Sequence, residues 1–283
     1  MSTRRLALPA LLPTLLPALL VALLAACTGR NYPGAEGPRY SGPTAAERAA
    51  RADTLRVVSF NVRFAAEIDS AIAVLRGDPA LRGADVVLLQ EMDAAGTRRI
   101  AEALGMAWVY YPAIYRRPTR RDFGNAVLSR WPIVEDAKLV LPHVSRYART
   151  QRIAAAATIR VGDGADTARV RVYSTHLGTV LDVGARSRRD QLRAILADAA
   201  RYPRVILGGD MNSADVGRVA RDAGYAWPTA VFGATTPHGA ALDHVFLRGL
   251  TPPGERAAGV VTAHRQASDH YPIWAAAVLG ADR

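Results

Sequence analysis

Arg204-Val205-Ile206-Leu207-Gly208-Gly209-Asp210-Met211-Asn212 is an aliphatic run that meets two glycines and then two short side chains bearing oxygen. Val205-Ile206-Leu207 predicts a short strand buried on both faces. Gly208 and Gly209 permit a sharp turn and the close approach of another backbone. If the extended conformation persists through Met211, Asp210 and Asn212 point to the same side. A carboxylate and a carboxamide there suit a metal ion, a water to be deprotonated, or a phosphate. The same pair also suits an Asx turn that merely closes the strand. Other predicted strand ends carry similar residues, which favours the chemical reading.

Upstream, Leu55 to Arg63 reads as a strand with Asn61 inside it, and Asp85 to Glu91 as a strand ending in a carboxylate. A buried amide such as Asn61 must be hydrogen-bonded. Glu91 could equally cap the helix expected over 94–104. Residues 108–115 are aromatic and extended, and Arg116, Arg117, Arg120 and Arg121 form a basic loop. Strands over 152–161 and 168–175 form a hairpin around Gly162-Asp163-Gly164, and the second runs into His176. Helices are expected over 68–75, 186–202 and 215–222. Downstream, strands begin near Asp243 and at 259–263, and the last spans 273–279, just after Asp269 and His270. This mixture of adjacent and helix-separated strands predicts two sheets packed face to face with helices outside.

Residues 1–26 read as a leader: Arg4 and Arg5 precede an apolar run that ends in small residues before Cys27. The pattern resembles a bacterial lipobox, in which the cysteine becomes the lipidated first residue. An ordinary cleaved signal peptide with an incidental cysteine is the alternative. As the only cysteine, Cys27 excludes an intramolecular disulfide framework and a cysteine-ligated zinc site. Residues 27–53 lack apolar periodicity and are expected to be a flexible tether, leaving 54–283 as one domain. The formal charge is +11, of which Arg4 and Arg5 supply two. A basic surface favours phosphate-bearing partners. Lys138 is the only lysine, however, so the arginine excess also reflects composition bias.

Asn61, Glu91, His176, Asp210, Asn212, Asp243, Asp269 and His270 all fall at or near predicted strand ends, where loops gather into one cleft. Oxygen ligands without cysteine select a hard cation such as Mg²⁺ or Mn²⁺, and the imidazoles can move protons.

Ser59-Phe60-Asn61, Gln90-Glu91, Gly124-Asn125-Ala126-Val127-Leu128-Ser129, Ser174-Thr175-His176-Leu177, Gly209-Asp210-Met211-Asn212, Leu242-Asp243-His244-Val245 and Ser268-Asp269-His270-Tyr271-Pro272 occur in that order. Together they resemble the endonuclease/exonuclease/phosphatase superfamily. The resemblance implies an α+β fold, a four-layer αββα sandwich of two mixed sheets, and Mg²⁺-dependent phosphoester hydrolysis. It implies that Glu91 binds the metal with Asn61 beside it and Asp269 completing the shell. Asp210 would orient or deprotonate the attacking water, and Asn212 would contact phosphate or a second metal. His270, oriented by Asp243, would contact the scissile phosphate or transfer a proton. His176 stands where hydrolase branches carry histidine, and Arg152 resembles a phosphate-contacting arginine. His244 has no such role and reads as structural.

A calcineurin-like phosphoesterase would need an early Asp-x-His and a later Gly-Asn-His, and the chain has neither. A non-catalytic envelope lipoprotein that keeps the fold as a phosphate- or nucleic-acid-binding module is the other alternative. The expected substrate is a phospholipid, a nucleic acid or a soluble phosphoester. The expected setting is a lipid-anchored, extracytoplasmic monomer at the cell envelope.

Overall fold

Successive residues of a strand face opposite ways, and that alternation builds three apolar layers. In β3 (Thr54–Asn61), Leu55 and Val57 face a second sheet, while Val58 and Phe60 face helices. β4 (Val86–Met92) repeats this: Val86 and Leu88 point inward, Val87 and Leu89 outward. In β10 (Val205–Asp210), Ile206 joins the layer between the sheets, and Val205 and Leu207 join the layer under a different helix pair.

The computed structural model describes residues 29–42, 53–162, 167–254, 257–263 and 266–280. The leader expected over 1–26 and Cys27 lie outside them. Among the described residues, the helices α1 (Ile68–Gly77) and α2 (Ala94–Leu104) cover the first sheet, through Ala71, Leu75 and Ile100. The helices α3 (Ala185–Ala199) and α4 (Val216–Asp222) cover the second, through Leu192, Ile195 and Val216. The result is the expected α+β sandwich of two mixed sheets between helices. Asp93 starts α2 by accepting from the Gly96 N–H, and Gly105 ends it in a left-handed conformation.

The remaining strands are β1 (Arg30–Asn31), β2 (Tyr40–Ser41), β5 (Ala107–Arg116), β6 (Arg121–Ser129), β7 (Ile133–Val140), β8 (Ile153–Val161), β9 (Ala168–His176), β11 (Asp243–Arg248), β12 (Ala258–Val260) and β13 (Ile273–Val278). The first sheet runs β1-β5-β6-β4-β3-β13-β12, with β2 also on β5, and the second runs β11-β10-β9-β8-β7. The expected hairpin of β8 and β9 is present.

Two features depart from the sequence reading. Residues 29–42 do not hang free: β1 and β2 pair antiparallel with β5 and close its open edge. The Lys138 ammonium donates to Tyr32 O (3.1 Å) and Gly37 O (2.6 Å), and Arg39 pairs with Asp136 at 2.6 Å. These long-range polar contacts leave no mark in hydrophobic periodicity. β7 was not foreseen, because its pattern is irregular: Glu135 is exposed, while the adjacent Asp136 is partly buried against Arg39 and Tyr111.

Candidate active site

Strand direction gathers the site. β3 and β4 are parallel, as are β9 and β10, so each pair ends at one edge of its sheet. Asn61 and Glu91 sit at those ends in the first sheet, and His176 and Asp210 in the second. β11 is antiparallel and begins there, placing Asp243 opposite Asp210. β13 is antiparallel to β3, so the turn before it brings His270 to the same edge. Ligand crevices at strand carboxyl ends are a general outcome of this geometry.

Gly209 makes the approach possible. Its φ is 149°, and a Cβ there would meet Thr175 O at 1.9 Å. The extended backbone does not continue through Met211. The strand stops at Asp210, and Asn212 is left-handed at φ 49°. Asp210 Oδ1 accepts from the Asn212 N–H (2.9 Å), so the Asx turn is present, and it serves to aim the other carboxylate oxygen.

Asp210 Oδ2 is the meeting point. The Asn61 Nδ2 donates to it (3.1 Å), His176 Nε2 lies 3.3 Å away and His270 Nε2 3.6 Å. Asn61 also reaches Glu91 Oε1 at 3.3 Å in its own sheet, so that its bond to Asp210 ties both carboxylates together across the two sheets. His270 Nδ1 is 2.8 Å from Asp243 Oδ2, which also accepts from the Thr235 hydroxyl at 2.6 Å. Thr235 Oγ1 in turn accepts from the Leu242 and Asp243 N–H groups.

Behind the carboxylates, the Gln90 amide donates to Ser174 Oγ (3.0 Å), a second polar tie between the sheets. Arg63, Phe64, Ala65, Glu91 and Asn212 all have positive φ. Such conformations cost about 1–3 kcal/mol each and persist where surrounding contacts over-determine them. Here Asn61 Oδ1 accepts from the Arg63 N–H and Glu91 Oε2 from the Phe64 N–H.

Burial dominates the electrostatics. It raises the Glu91 carboxyl, against the pull of Asn61 and Arg152. Burial and then the Asp243 charge raise Asp210 to about 7. Burial works against the charged His270 ring, yet the Asp243 carboxylate prevails and holds its pKa up at about 10. His176 goes the other way: burial, with Arg152 and His270, lowers it well below the usual imidazole value. The site therefore pairs a neutral imidazole with a charged one.

Most of the expected residues meet: Asn61, Glu91, His176, Asp210, Asp243 and His270 form one contact network. Arg152 adjoins it, buried, with Nη2 3.6 Å from Asp182 and Nη1 without a partner. Asn212 adds a backbone N–H to Asp210, while its amide donates to Leu177 O (3.0 Å). Asp269 stands at the rim, 50% exposed and 3.8 Å from Arg63. His244 is structural: it accepts from Trp227 Nε1 and contacts Ser213 O. Thr235 and Phe64 were not singled out from sequence, since neither lies in a motif or at a strand end.

The donor set fits a hard cation. Glu91 and Asp210 bring carboxylate oxygens toward one point, where both face the Asn61 Nδ2. Asp210, Asp243 and His270 bring ligand atoms within 4.8 Å of one another. Asp243 Oδ1 is buried without a partner. Oxygen-rich sites without thiolate suit Mg²⁺ or Mn²⁺.

The fold recurs in solved structures. An endonuclease/exonuclease/phosphatase from Beutenbergia cavernae DSM 12333 is 23% identical, with a TM-score of 0.62 over 81% of this chain and 72% of that one. Sphingomyelinase C from Streptomyces griseocarneus is 21% identical, with a TM-score of 0.56 over 80% and 99%. The human Nocturnin catalytic domain is 17% identical, with a TM-score of 0.58 over 81% and 95%. No curated protein matches the sequence. The family model described as "Endonuclease/Exonuclease/phosphatase family" matches residues 58–270, a span that opens in the strand carrying Asn61 and closes on His270. The chain belongs to the endonuclease/exonuclease/phosphatase family.

Proposed function

We propose that the protein is a phosphoester hydrolase that depends on a divalent metal ion, Mg²⁺ or Mn²⁺, and works at the cell envelope as a monomer anchored through Cys27. The observation that carries the catalytic part is the convergence of Asn61, His176 and His270 on Asp210 Oδ2. A phosphodiester in water repels its nucleophile and has a poor leaving group. Glu91, with Asn61 and Asp210 beside it, would hold the cation that offsets phosphoryl charge.

The residues divide the remaining work. Asp210, its carboxylate proton-hungry through burial, orients the water and accepts its proton. The His270 imidazolium, fixed by Asp243, donates from Nε2 to a phosphoryl oxygen or to the departing ester oxygen. Neutral His176 holds Asp210 through Nε2. The orphaned Arg152 Nη1 is a buried donor that a phosphoryl oxygen would satisfy.

Turnover of bis(p-nitrophenyl) phosphate by purified protein tests this reading. Activity should appear with Mg²⁺ or Mn²⁺, vanish with chelator, and fall on the order of 10³-fold in Asp210→Asn. Binding of inorganic phosphate without turnover of any phosphoester would instead make the protein a binding module. For the anchor, Cys27→Ser should abolish palmitate labelling and release the protein from membranes; unchanged labelling would reject lipidation.

A further inference from the structure

We propose that the paired loops 142–152 and 177–184 form a docking surface for an anionic lipid bilayer, so that the active-site mouth is pressed toward a membrane. The proposal rests on the reading of this edge as the active site. Among the described residues, large hydrophobic side chains are rarely exposed, and three of them cluster here: Tyr147 (75%), Val180 (66%) and Leu181 (81%). The two loops are tied together by the Arg146 N–H donating to Asp182 O (2.9 Å). Both spring from the edge that carries the site. One leads into β8 through Arg152, and the other leaves β9 directly after His176. Asp182, next to Leu181, lies 3.6 Å from Arg152.

The chemistry around the tip selects the partner. Arg146, Arg149 and Arg186 are exposed on the same two loops and at the start of α3. An apolar tip with an arginine rim suits the boundary between headgroups and acyl chains. The apolar side chains enter it, and the guanidinium groups meet lipid phosphates. A protein partner would be expected to meet a broader apolar patch. Nucleic acid would draw on the arginines and have little use for Val180 and Leu181.

The test uses the lipidated, full mature protein reconstituted on vesicles. In Leu181→Trp, brominated phosphatidylglycerol should quench the added tryptophan, and brominated phosphatidylcholine should quench it less. An anchor at Cys27 cannot by itself place residue 181 in the bilayer. Absence of added quenching on both vesicles would overturn the proposal. Val180→Asp with Leu181→Asp should lower turnover of a vesicle-borne phosphodiester on the order of 10-fold while leaving soluble bis(p-nitrophenyl) phosphate turnover unchanged. Equal loss on both substrates, or loss on DNA alone, would overturn it. Loss of all turnover in the unsubstituted protein would instead count against the hydrolase reading, and the quenching result would still decide the docking surface.

Discussion

His270 Nδ1 lies 2.8 Å from Asp243 Oδ2, although 27 positions separate the two residues in the chain. A carboxylate on one ring nitrogen fixes the tautomer and favours the imidazolium, whose other nitrogen then faces Asp210. Asp243→Asn and His270→Ala should each reduce kcat on the order of 10²-fold or more. The double variant should be little worse than His270→Ala alone, since residues acting as a unit lose non-additively. Multiplicative losses would show that the two act separately.

Glu91→Gln keeps the shape of the side chain and removes one negative charge from the oxygen cluster. Activity should fall on the order of 10²-fold, and more metal should be needed to reach half of what remains. Metal titration of turnover and Mn²⁺ binding by electron paramagnetic resonance report the two effects independently. Unchanged binding would remove Glu91 from the ligand set.

Thr235 holds the same Asp243 oxygen, Oδ2, that His270 contacts. Its hydroxyl donates to the carboxylate and accepts from two backbone N–H groups. Thr235→Val leaves those groups buried and unpaired, a cost of about 1–3 kcal/mol in stability. Thr235→Ser keeps the hydroxyl. If Thr235 positions Asp243, kcat should drop about 10-fold in the valine variant with KM little changed, and recover in the serine variant. A lowered Tm with kcat intact in Thr235→Val would leave it a purely structural residue.

Much of this site was legible before any coordinates, because strand ends carry local signals. Asp210 follows a run of aliphatics and two glycines, and Asn61 is a polar residue inside an apolar strand. The Asp243–His270 pair came instead from family resemblance, since spacing alone gives no reason for them to meet. What the sequence hid was long-range polar contact. Nothing near Thr235 marks its bond to Asp243, and nothing in residues 30–41 marks the open edge of β5 that they cover. The condition that would have set Asp210 and Asn212 on one side, extension through Met211, does not hold for a local reason: Asn212 turns left-handed and its N–H caps the Asp210 carboxylate, the Asx turn that was the alternative.

Asn61 belongs to one sheet and Asp210 to the other, 149 positions later, yet a single hydrogen bond joins them. Neither half of the sandwich holds a competent centre alone. A partly folded chain therefore has no assembled site. The centre comes into being only when the last strand, β13, delivers His270 to the edge of a closed sandwich. Turnover is thus a readout of complete folding, and a variant that loosens the contact between the sheets should lose activity before it loses secondary structure.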